Sequence, residues 1–466
     1  MGRGFPPRPV IKMTAHSEKP ASGWMRIGLR LLPFADAASD ALPLSQLLRL
    51  SLFQIAVGMA LAMLVGTLNR VMIVELNVPA ALVAIMVSLP LLFAPFRAII
   101  GFRSDHHRSA LGWRRVPYIW MGTMLQFGGF AIMPFALLVL GGFGQASEAP
   151  AWVGHLGAGL AFLLVGAGLH TTQTVGLALA TDLAPAADRP KVVGLMYVML
   201  LIGIIFSSVV FGYVLQDFSP GVLIRTIQAA AVLTICLNVI ALWKQEARGQ
   251  HRLTAQLHDD PDFGESLRVY CRGELAMRRL WAVGLGTLAF SMGDILLEPF
   301  GGEILLFTVS ETTYLTAGLA AGGLVGFAWA SRILSKGLDP FLMASRGTLI
   351  GIPAFMAVLL SVPMASASLF SMGAVCIGFG AGLFGHGTLT ATMNQAPPGQ
   401  AGLAMGAWGA VQASTAGVAM ALGGIIRDLA AQVMDSANAY AVVYSIEVIL
   451  LVTTWLVMSP LVKTKR

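Results

Sequence analysis

Long apolar stretches separated by short polar ones dominate the chain. Twelve of them come near the roughly 20 residues that an α-helix needs to cross a bilayer at about 1.5 Å per residue. They lie at 50–74, 80–101, 116–140, 152–181, 192–215, 222–243, 280–308, 314–334, 347–363, 367–393, 401–426 and 438–460. This pattern predicts an all-α membrane protein with twelve transmembrane helices.

Composition supports a polytopic membrane protein. Of the 466 residues, 56% are hydrophobic and 11% are charged, whereas soluble domains carry about 25% charged residues. The net charge of +7 arises from loop residues, so it concerns membrane topology and gives no indication of nucleic-acid binding. The three cysteines lie far apart, which indicates neither a disulfide framework nor a zinc site.

The positive charges predict an orientation. Lysine and arginine collect in every second loop and at both ends of the chain. With the N-terminus placed inside, only Arg70, Arg225 and Arg427 fall on the outer side. Because cytoplasmic loops are enriched in positive charge, we expect both termini in the cytoplasm and the protein in the inner membrane.

One long charged segment divides the chain into two halves of six predicted helices each. We expect a cytoplasmic N-terminal arm at 1–48 with a short interfacial helix at 23–34, a first half at 49–243, a cytoplasmic linker at 244–276, a second half at 277–460 and a cytoplasmic tail at 461–466. The arm is rich in proline and basic residues and has no signal peptide.

An internal repeat agrees with this division. The sequence GAGL at 166–169 recurs at 380–383, and each copy precedes a threonine-rich stretch and an Ala-Pro pair. The loop GFRSDHHRSALGWRR at 101–115 resembles an expanded form of the motif that follows the second helix in the major facilitator superfamily. The motif positions are Gly101, Asp105, Gly112, Arg114 and Arg115. Two related six-helix halves describe that superfamily's fold, which we therefore predict.

Several longer stretches make the resemblance more specific. They are LPLSQLLRLSLFQIAVGMALAMLVGTLNRVMIVEL (42–76), LPLLFAPFRAIIGFRSD (89–105), GWRRVPYIWMGTMLQFGG (112–129), DILLEPFGGE (294–303) and GHGTLTATM (385–393). Together they resemble the PucC/LhaA family of photosynthetic bacteria. The similarity extends from about residue 32 to the last predicted helix. The stretch LLPFADAASDALPLS at 31–45 is slightly more similar to the LhaA members.

The resemblance implies a non-enzymatic factor for light-harvesting complex assembly that delivers bacteriochlorophyll. Its implied pigment is bacteriochlorophyll, with carotenoid as a further candidate. Its implied partners are the antenna polypeptides, with bacteriochlorophyll synthase and the membrane-insertion machinery as further candidates. Its implied location is the inner membrane, including the intracytoplasmic photosynthetic membrane. A fold alone does not identify a cargo, so these statements depend on the resemblance.

Two histidines are candidate pigment ligands. His386 lies among Gly382, Gly385 and Gly387 in the tenth apolar stretch, and His170 occupies nearly the equivalent place in the fourth. A neutral imidazole can be an axial ligand to the magnesium of a chlorin, and glycines would let the flat ring approach the helix. The alternative is that these glycines serve close helix packing and that each histidine bonds to a neighbouring threonine.

Three charged residues are predicted deep in the bilayer. Asp294 and Glu298 share one face of the seventh segment, and Arg70 is the cation at comparable depth. Since a charge there costs about 3 kcal/mol or more, we expect Arg70 to pair with Glu298 or Asp294 across the central cavity. Alternatively, the two acids bind a coupling proton. Pro299 should also kink this helix.

On the cytoplasmic side, charged helix ends are predicted to form a structural network. Its members are Arg97, Arg103, Asp105, Arg114, Arg115, Asp182 and Arg189.

A proton-coupled transporter of a small solute is the alternative function. It would place polar side chains in the central cavity, for which the sequence offers Gln54, Thr171, Thr172, Gln173, Thr388 and Thr390. An enzyme is not predicted, because neither a nucleophile constellation nor metal-ligand spacing is present in the sequence.

Overall fold

The structure is a computed structural model. It describes residues 42–92, 97, 100, 103–104, 112–143, 148–185, 188–246, 276–395 and 401–462. The predicted interfacial helix, nearly all of the predicted linker and Asp105 lie outside these residues, so the predictions made for them stay predictions.

The described residues form helices joined by short turns. The helices are α1 (Leu44–Glu75), α2 (Ala80–Leu92), α3 (Val116–Leu140), α4 (Ala151–Leu183), α5 (Arg189–Val214), α6 (Pro220–Leu242), α7a (Ala276–Ser291), α7b (Leu297–Glu303), α8 (Val309–Leu334), α9 (Pro340–Ser361), α10 (Ala367–Gln395), α11 (Ala401–Ala430) and α12 (Ser436–Met458). The predicted all-α class is confirmed.

Ten helices in the described part of the chain are long and apolar enough to cross a membrane. The chain is therefore a multi-pass membrane protein. The other two predicted segments correspond to α2, whose apolar part is shorter, and to the divided helix α7a–α7b. The count of twelve spans consequently stays a prediction.

The second half of α1, toward α2, contains π-helical turns, which are wider than those of an α-helix. It is π-helical at Ala62–Leu68 and again at Val71–Glu75, a geometry that is rare and often found at functional sites. Asn69 and Arg70 lie between the two π segments, and both are buried. The Asn69 Nδ2 donates to the carbonyl oxygen of Ile295 at 3.0 Å, which ties α1 to the break in α7.

Helix α7 is interrupted between Ser291 and Leu297, and the interruption precedes Pro299. At this interruption the backbone N–H of Gly293 donates to the Glu447 carboxyl of α12 at 2.5 Å. The prediction that Pro299 kinks this helix is therefore wrong in position. Pro299 lies in the first turn of α7b, where a missing N–H leaves no helical bond unmade.

The helices pack as two groups in contact. Within the groups α3 packs on α4, and α10 packs on both α8 and α9; between them, α5 packs on α8 and α2 on α11. We use "outer" for the end where α1 joins α2 and α11 joins α12, following the predicted orientation. Near this end the Ser310 hydroxyl donates to the Gly212 carbonyl at 2.7 Å. The Ala81 N–H donates to Asp428 at 2.7 Å, so hydrogen bonds join the two groups near the outer end.

Candidate functional site

A cavity of about 410 Å³ lies between the two groups of helices. Its wall is formed by α1, α5, α7, α8, α10 and α11. The lining residues are Leu61, Ala62, Val65, Tyr197, Leu200, Leu201, Ile204, Asp294, Leu297, Glu298, Thr316, Leu319, Ala320, Gly323, Phe327, Gly378, Ala381, Gly382, Gly385, Leu389, Trp408, Gln412 and Met420. Most of these side chains are apolar, so the cavity suits an apolar ligand with few polar groups.

On the α10 side of this cavity, Gly385 leaves the helix backbone uncovered by any neighbouring side chain. No heavy atom of a neighbouring helix lies within 4 Å of the place where a Cβ on Gly385 would stand. A ligand in the cavity can therefore reach the α10 backbone at this residue. Of the three glycines predicted at the pigment site, Gly385 is the one with space beside its backbone.

The two other predicted glycines, Gly382 and Gly387, are in helix packing contacts, although Gly382 also lines the cavity. A Cβ on Gly382 would lie 2.4 Å from the Gly323 carbonyl oxygen of α8. A Cβ on Gly387 would lie 2.8 Å from the Pro340 carbonyl oxygen and the Ala344 nitrogen of α9. The predicted flat slot along all three glycines is wrong, because successive residues of a helix point about 100° apart and these positions face other helices.

His386 follows Gly385 and is half-buried. Its ring centroid lies 4.2 Å from that of Phe327, and the two rings are tilted by 57°. Phe327 itself lines the cavity, as does Leu389 one turn further along α10. His386 thus lies at the edge of the cavity, on the side where α10 meets α8.

His170 lies elsewhere, among polar residues of α4 and close to Arg97, which follows α2 in the chain. The Arg97 guanidinium is close to it and donates to Thr174 Oγ1 at 2.8 Å and to Gln173 Oε1 at 3.1 Å. Neither His170 nor His386 is itself among the cavity-lining residues, but His386 follows the lining residue Gly385 and its ring contacts that of the lining residue Phe327. The two predicted histidines are therefore not brought together, and of the two only His386 contacts the cavity wall.

Arg70 does not form the ion pair predicted across the cavity. Its guanidinium pairs with Glu75 at the outer end of the same helix and donates to the Phe307 carbonyl oxygen at 3.0 Å. The predicted pairing with Glu298 or Asp294 is wrong. The Arg70 side chain reaches outward to a partner that is 37% exposed, which costs less than holding two charges at mid-bilayer.

Asp294 and Glu298 instead lie in the cavity wall. Glu298 accepts a hydrogen bond from the Thr316 hydroxyl of α8 at 2.7 Å. A third acid, Glu447 of α12, is fully buried behind the break in α7. The sequence analysis missed it, although an acidic residue in the middle of an apolar stretch is a signal in itself.

The inner helix ends are joined by charged groups. Asp182 of α4 accepts from Arg114 Nη2 at 2.5 Å and from Arg115 Nε at 3.0 Å. Glu246 accepts from the backbone N–H groups of Arg114, Arg115 and Val116 at the start of α3. Arg97, which was predicted in this network, has the separate partners given above, and Glu246 was not predicted.

A second network lies at the outer end and was also not predicted. Glu303 accepts from Arg427 Nη2 at 2.5 Å, from the Ser436 hydroxyl at 2.5 Å and from the Tyr440 hydroxyl at 2.8 Å. The Arg427 guanidinium also lies over the Tyr440 ring, 4.7 Å from its centroid. These bonds join α7b to α11 and α12. The sequence shows the charges but not their proximity.

Solved structures with the same fold are membrane transporters. The structure of a bacterial homologue of the iron transporter ferroportin in an inward-facing state aligns with a TM-score of 0.66 at 12% identity, over 90% of this chain and 99% of that one. The D-xylose-proton symporter aligns with a TM-score of 0.65 at 14% identity, over 90% and 96%. At these identities the likeness establishes the fold alone, and the predicted major facilitator fold is confirmed.

Sequence relatives identify the family. Protein PucC of Rhodovulum sulfidophilum is 63% identical over 404 residues, which is 86% of this chain and 89% of that protein. Protein PucC of Cereibacter sphaeroides is 56% identical over 445 residues, 94% of this chain and 97% of that protein. The sequence model of the family described as PUCC protein matches residues 67–466. The chain therefore belongs to the PucC family, as the sequence motifs predict.

Proposed function

We propose that this protein is an assembly factor for a photosynthetic light-harvesting complex, which binds bacteriochlorophyll in the central cavity and delivers it to nascent antenna polypeptides. The observation that carries the proposal is the largely apolar cavity between the two groups of helices, with the bare backbone of Gly385 in its wall. A family relative, 26% identical over 417 residues, is named bacteriochlorophyll synthase 44.5 kDa chain. That name connects the family to the same pigment.

The residues at this wall fit part of a tetrapyrrole. Gly385 leaves space for the edge of a flat ring, and Phe327 offers an aromatic face beside it. His386 would supply a nitrogen ligand to the pigment's magnesium. The cavity volume of about 410 Å³ is at the low end of ligand pockets, which span about 300–1,000 Å³. A pigment with a long tail would therefore leave that tail outside the cavity.

The proposal includes a location and partners. The protein would reside in the inner membrane, including the intracytoplasmic photosynthetic membrane, with both termini in the cytoplasm, because the positive charges favour that orientation. The antenna polypeptides would receive the pigment, and bacteriochlorophyll synthase and the insertion machinery would act beside it. Carotenoid is a second candidate pigment. The protein would make no covalent change to its cargo.

A proton-coupled transporter of a small solute is the alternative. The two acids Asp294 and Glu298 in the cavity wall favour it, as does the transporter fold. However, none of the six polar residues that the sequence offers for solute binding lines the cavity. For example, Thr388 bonds to the Trp408 indole N–H at 3.3 Å instead. An apolar cargo therefore fits the described residues better.

A purification experiment separates the two functions. The protein is extracted gently from pigmented membranes, and its near-infrared spectrum and pigment content are measured. We expect bacteriochlorophyll in near-stoichiometric amount. Colourless protein that drives uphill uptake of a polar solute in proteoliposomes would contradict the proposal and support the transporter.

A further inference from the structure

Three carboxyl groups lie at the break in α7, of which two are buried and one, Asp294, is half-buried. Glu298 and Glu447 are 3% and 0% exposed, and Asp294 lies inside the break. One oxygen of each glutamate is hydrogen-bonded, to the Thr316 hydroxyl and the Gly293 N–H respectively. The second oxygen, Oε2 in both cases, is buried and has no hydrogen-bond partner.

A tyrosine at the same place is an independent observation. Tyr444 is fully buried, and its hydroxyl also has no hydrogen-bond partner. A Cβ on Gly293 would lie 2.8 Å both from Cε1 of Tyr444 and from Oε2 of Glu447, so the ring and the carboxyl meet at the break. Unpartnered buried polar groups are costly and rare, and several at one place indicate a missing ligand.

The nearby cations are engaged elsewhere. The charged and titratable groups on the helices packed around the three acids include Arg70 and Glu75 of α1, Tyr197 of α5, Glu303 of α7b, Glu311 and Tyr314 of α8, Arg427 and Asp428 of α11, and Tyr440 and Tyr444 of α12. Arg70 pairs with Glu75, and Arg427 pairs with Glu303 and Asp428. Within the described residues, no cation forms a salt bridge with Asp294, Glu298 or Glu447.

The missing ligand is a proton rather than a metal ion. Three carboxylates in this apolar setting would repel one another, and each would be costly without a cation. The described residues contain no group of three or more acidic, histidine or cysteine side chains arranged to hold a metal ion. A proton on each acid removes the charge, which is the largest part of the cost of burying the group.

We propose that the break in α7 is a proton-binding site. Asp294 and Glu298 line the cavity and exchange protons with it, whereas Glu447 lies behind them and holds its proton against the broken backbone. Loss of a proton would place a negative charge without a cation between α7 and α12, which is costly in this apolar setting. This inference concerns proton binding alone, so it does not depend on the identity of the cargo.

Infrared difference spectroscopy tests the site in the purified full-length protein. The carbonyl stretch of protonated carboxylic acids is followed from about pH 5 to pH 9, a range in which exposed acids stay ionised. The variants are Glu447→Gln, Glu298→Gln and Asp294→Asn. The matched control is Glu311→Gln, because Glu311 is exposed and forms a capping box at the start of α8, which glutamine also satisfies.

We expect carboxylic acid bands in the wild type and in the control, with one band lost in each site variant. The bands lost in Asp294→Asn and Glu298→Gln should be the pH-dependent ones, and the band lost in Glu447→Gln should persist over the pH range. Two results would overturn the proposal: no such band in the wild type, or an unchanged set of bands in all three variants. A variant that does not fold is replaced by carbodiimide labelling of the wild type, because carbodiimides react with protonated acids in apolar surroundings. Mass spectrometry must then find labelling at that residue, decreasing with rising pH for Asp294 and Glu298; its absence also overturns the proposal.

Discussion

At the residue scale, His386 carries the proposed contact with pigment. It is half-buried at the cavity edge beside Phe327, so replacing it should change ligand binding more than folding. We predict that His386→Leu lowers the affinity for bacteriochlorophyll about tenfold or more, equivalent to roughly 1.4 kcal/mol. Pigment content after purification measures this. Because His170 lies away from the cavity, His170→Leu should retain the pigment. Loss of pigment in His170→Leu but not in His386→Leu would assign the ligand to His170.

Arg70 is a structural residue at the outer end of α1. Its pair with Glu75 and its bond to the Phe307 carbonyl join α1 to the segment between α7b and α8. We predict that Arg70→Met lowers the free energy of unfolding by about 1.5–3 kcal/mol, the usual worth of hydrogen bonds to a charged group. Thermal unfolding in detergent measures this. Arg225→Met, at an exposed arginine of α6, is the control.

A double-mutant cycle distinguishes the observed pair from the predicted one. Arg70→Met and Glu75→Gln should not be additive, because the two side chains are in contact. Arg70→Met and Asp294→Asn should be additive. Strong coupling between Arg70 and Asp294 would support the pair predicted from the sequence and contradict the pair seen in the structure.

At the scale of elements, the glycines of α10 show what sequence can and cannot predict. Their number indicates that something approaches the helix closely, and this expectation is correct. Helix α8 approaches at Gly382 and helix α9 approaches at Gly387. At Gly385 the space beside the helix belongs to the cavity. The direction of each residue relative to its neighbours depends on the tertiary packing, so a run of glycines cannot by itself distinguish a ligand site from a helix contact.

The two kinds of glycine should respond differently to alanine. Gly382→Ala places a Cβ 2.4 Å from the Gly323 carbonyl, so α8 and α10 must separate, and we predict a loss of about 1–3 kcal/mol. Gly385→Ala meets open space and should be neutral or stabilising, because alanine favours the helix by up to about 1 kcal/mol. Unfolding midpoints compare the two. Equal losses would mean that Gly385 is also a packing residue.

Glu246 holds the start of α3 through three backbone N–H groups. A negative group at a helix N-terminus satisfies unpaired donors and interacts well with the helix dipole. We predict that Glu246→Ala lowers stability by about 1–2 kcal/mol. Glu148→Ala, at an exposed acid just before α4, should leave the unfolding midpoint nearly unchanged. An equal decrease of the unfolding midpoint in both variants would show that stability depends on the net charge and not on the bonds of Glu246 to the start of α3.

At the scale of the whole molecule, hydropathy is the strongest signal because lipid leaves the backbone few alternatives to the helix. The apolar segments, the two groups of helices and the family were all predictable. Part of the inner network was also predicted, since Arg114 and Arg115 do pair with Asp182. The ionic partners at the outer end were not predicted, since a long arginine side chain can reach several ångströms along the membrane normal. Arg70 pairs with Glu75 and Glu303 pairs with Arg427, and the hydropathy of the chain does not indicate either partner.

In the whole molecule, hydrogen bonds join the two groups of helices near the outer end, and a cavity lies between the groups. The outer contacts include Ser310 with Gly212 and Ala81 with Asp428. A cargo that enters from the inner end or from the membrane would therefore meet the wall at Gly385. The proposed function depends on this wall being the pigment surface.

Pigment content of a matched pair of variants tests that claim most directly. Gly385→Leu fills the cavity wall, whereas Gly128→Leu adds the same side chain on α3, where no atom lies within 4 Å and no cavity wall is present. Both proteins are purified from pigmented membranes, and bacteriochlorophyll is quantified by near-infrared absorbance per protein. We predict that Gly128→Leu retains the wild-type pigment content and that Gly385→Leu loses most of it. Full pigment content in a folded Gly385→Leu protein would show that bacteriochlorophyll binds elsewhere.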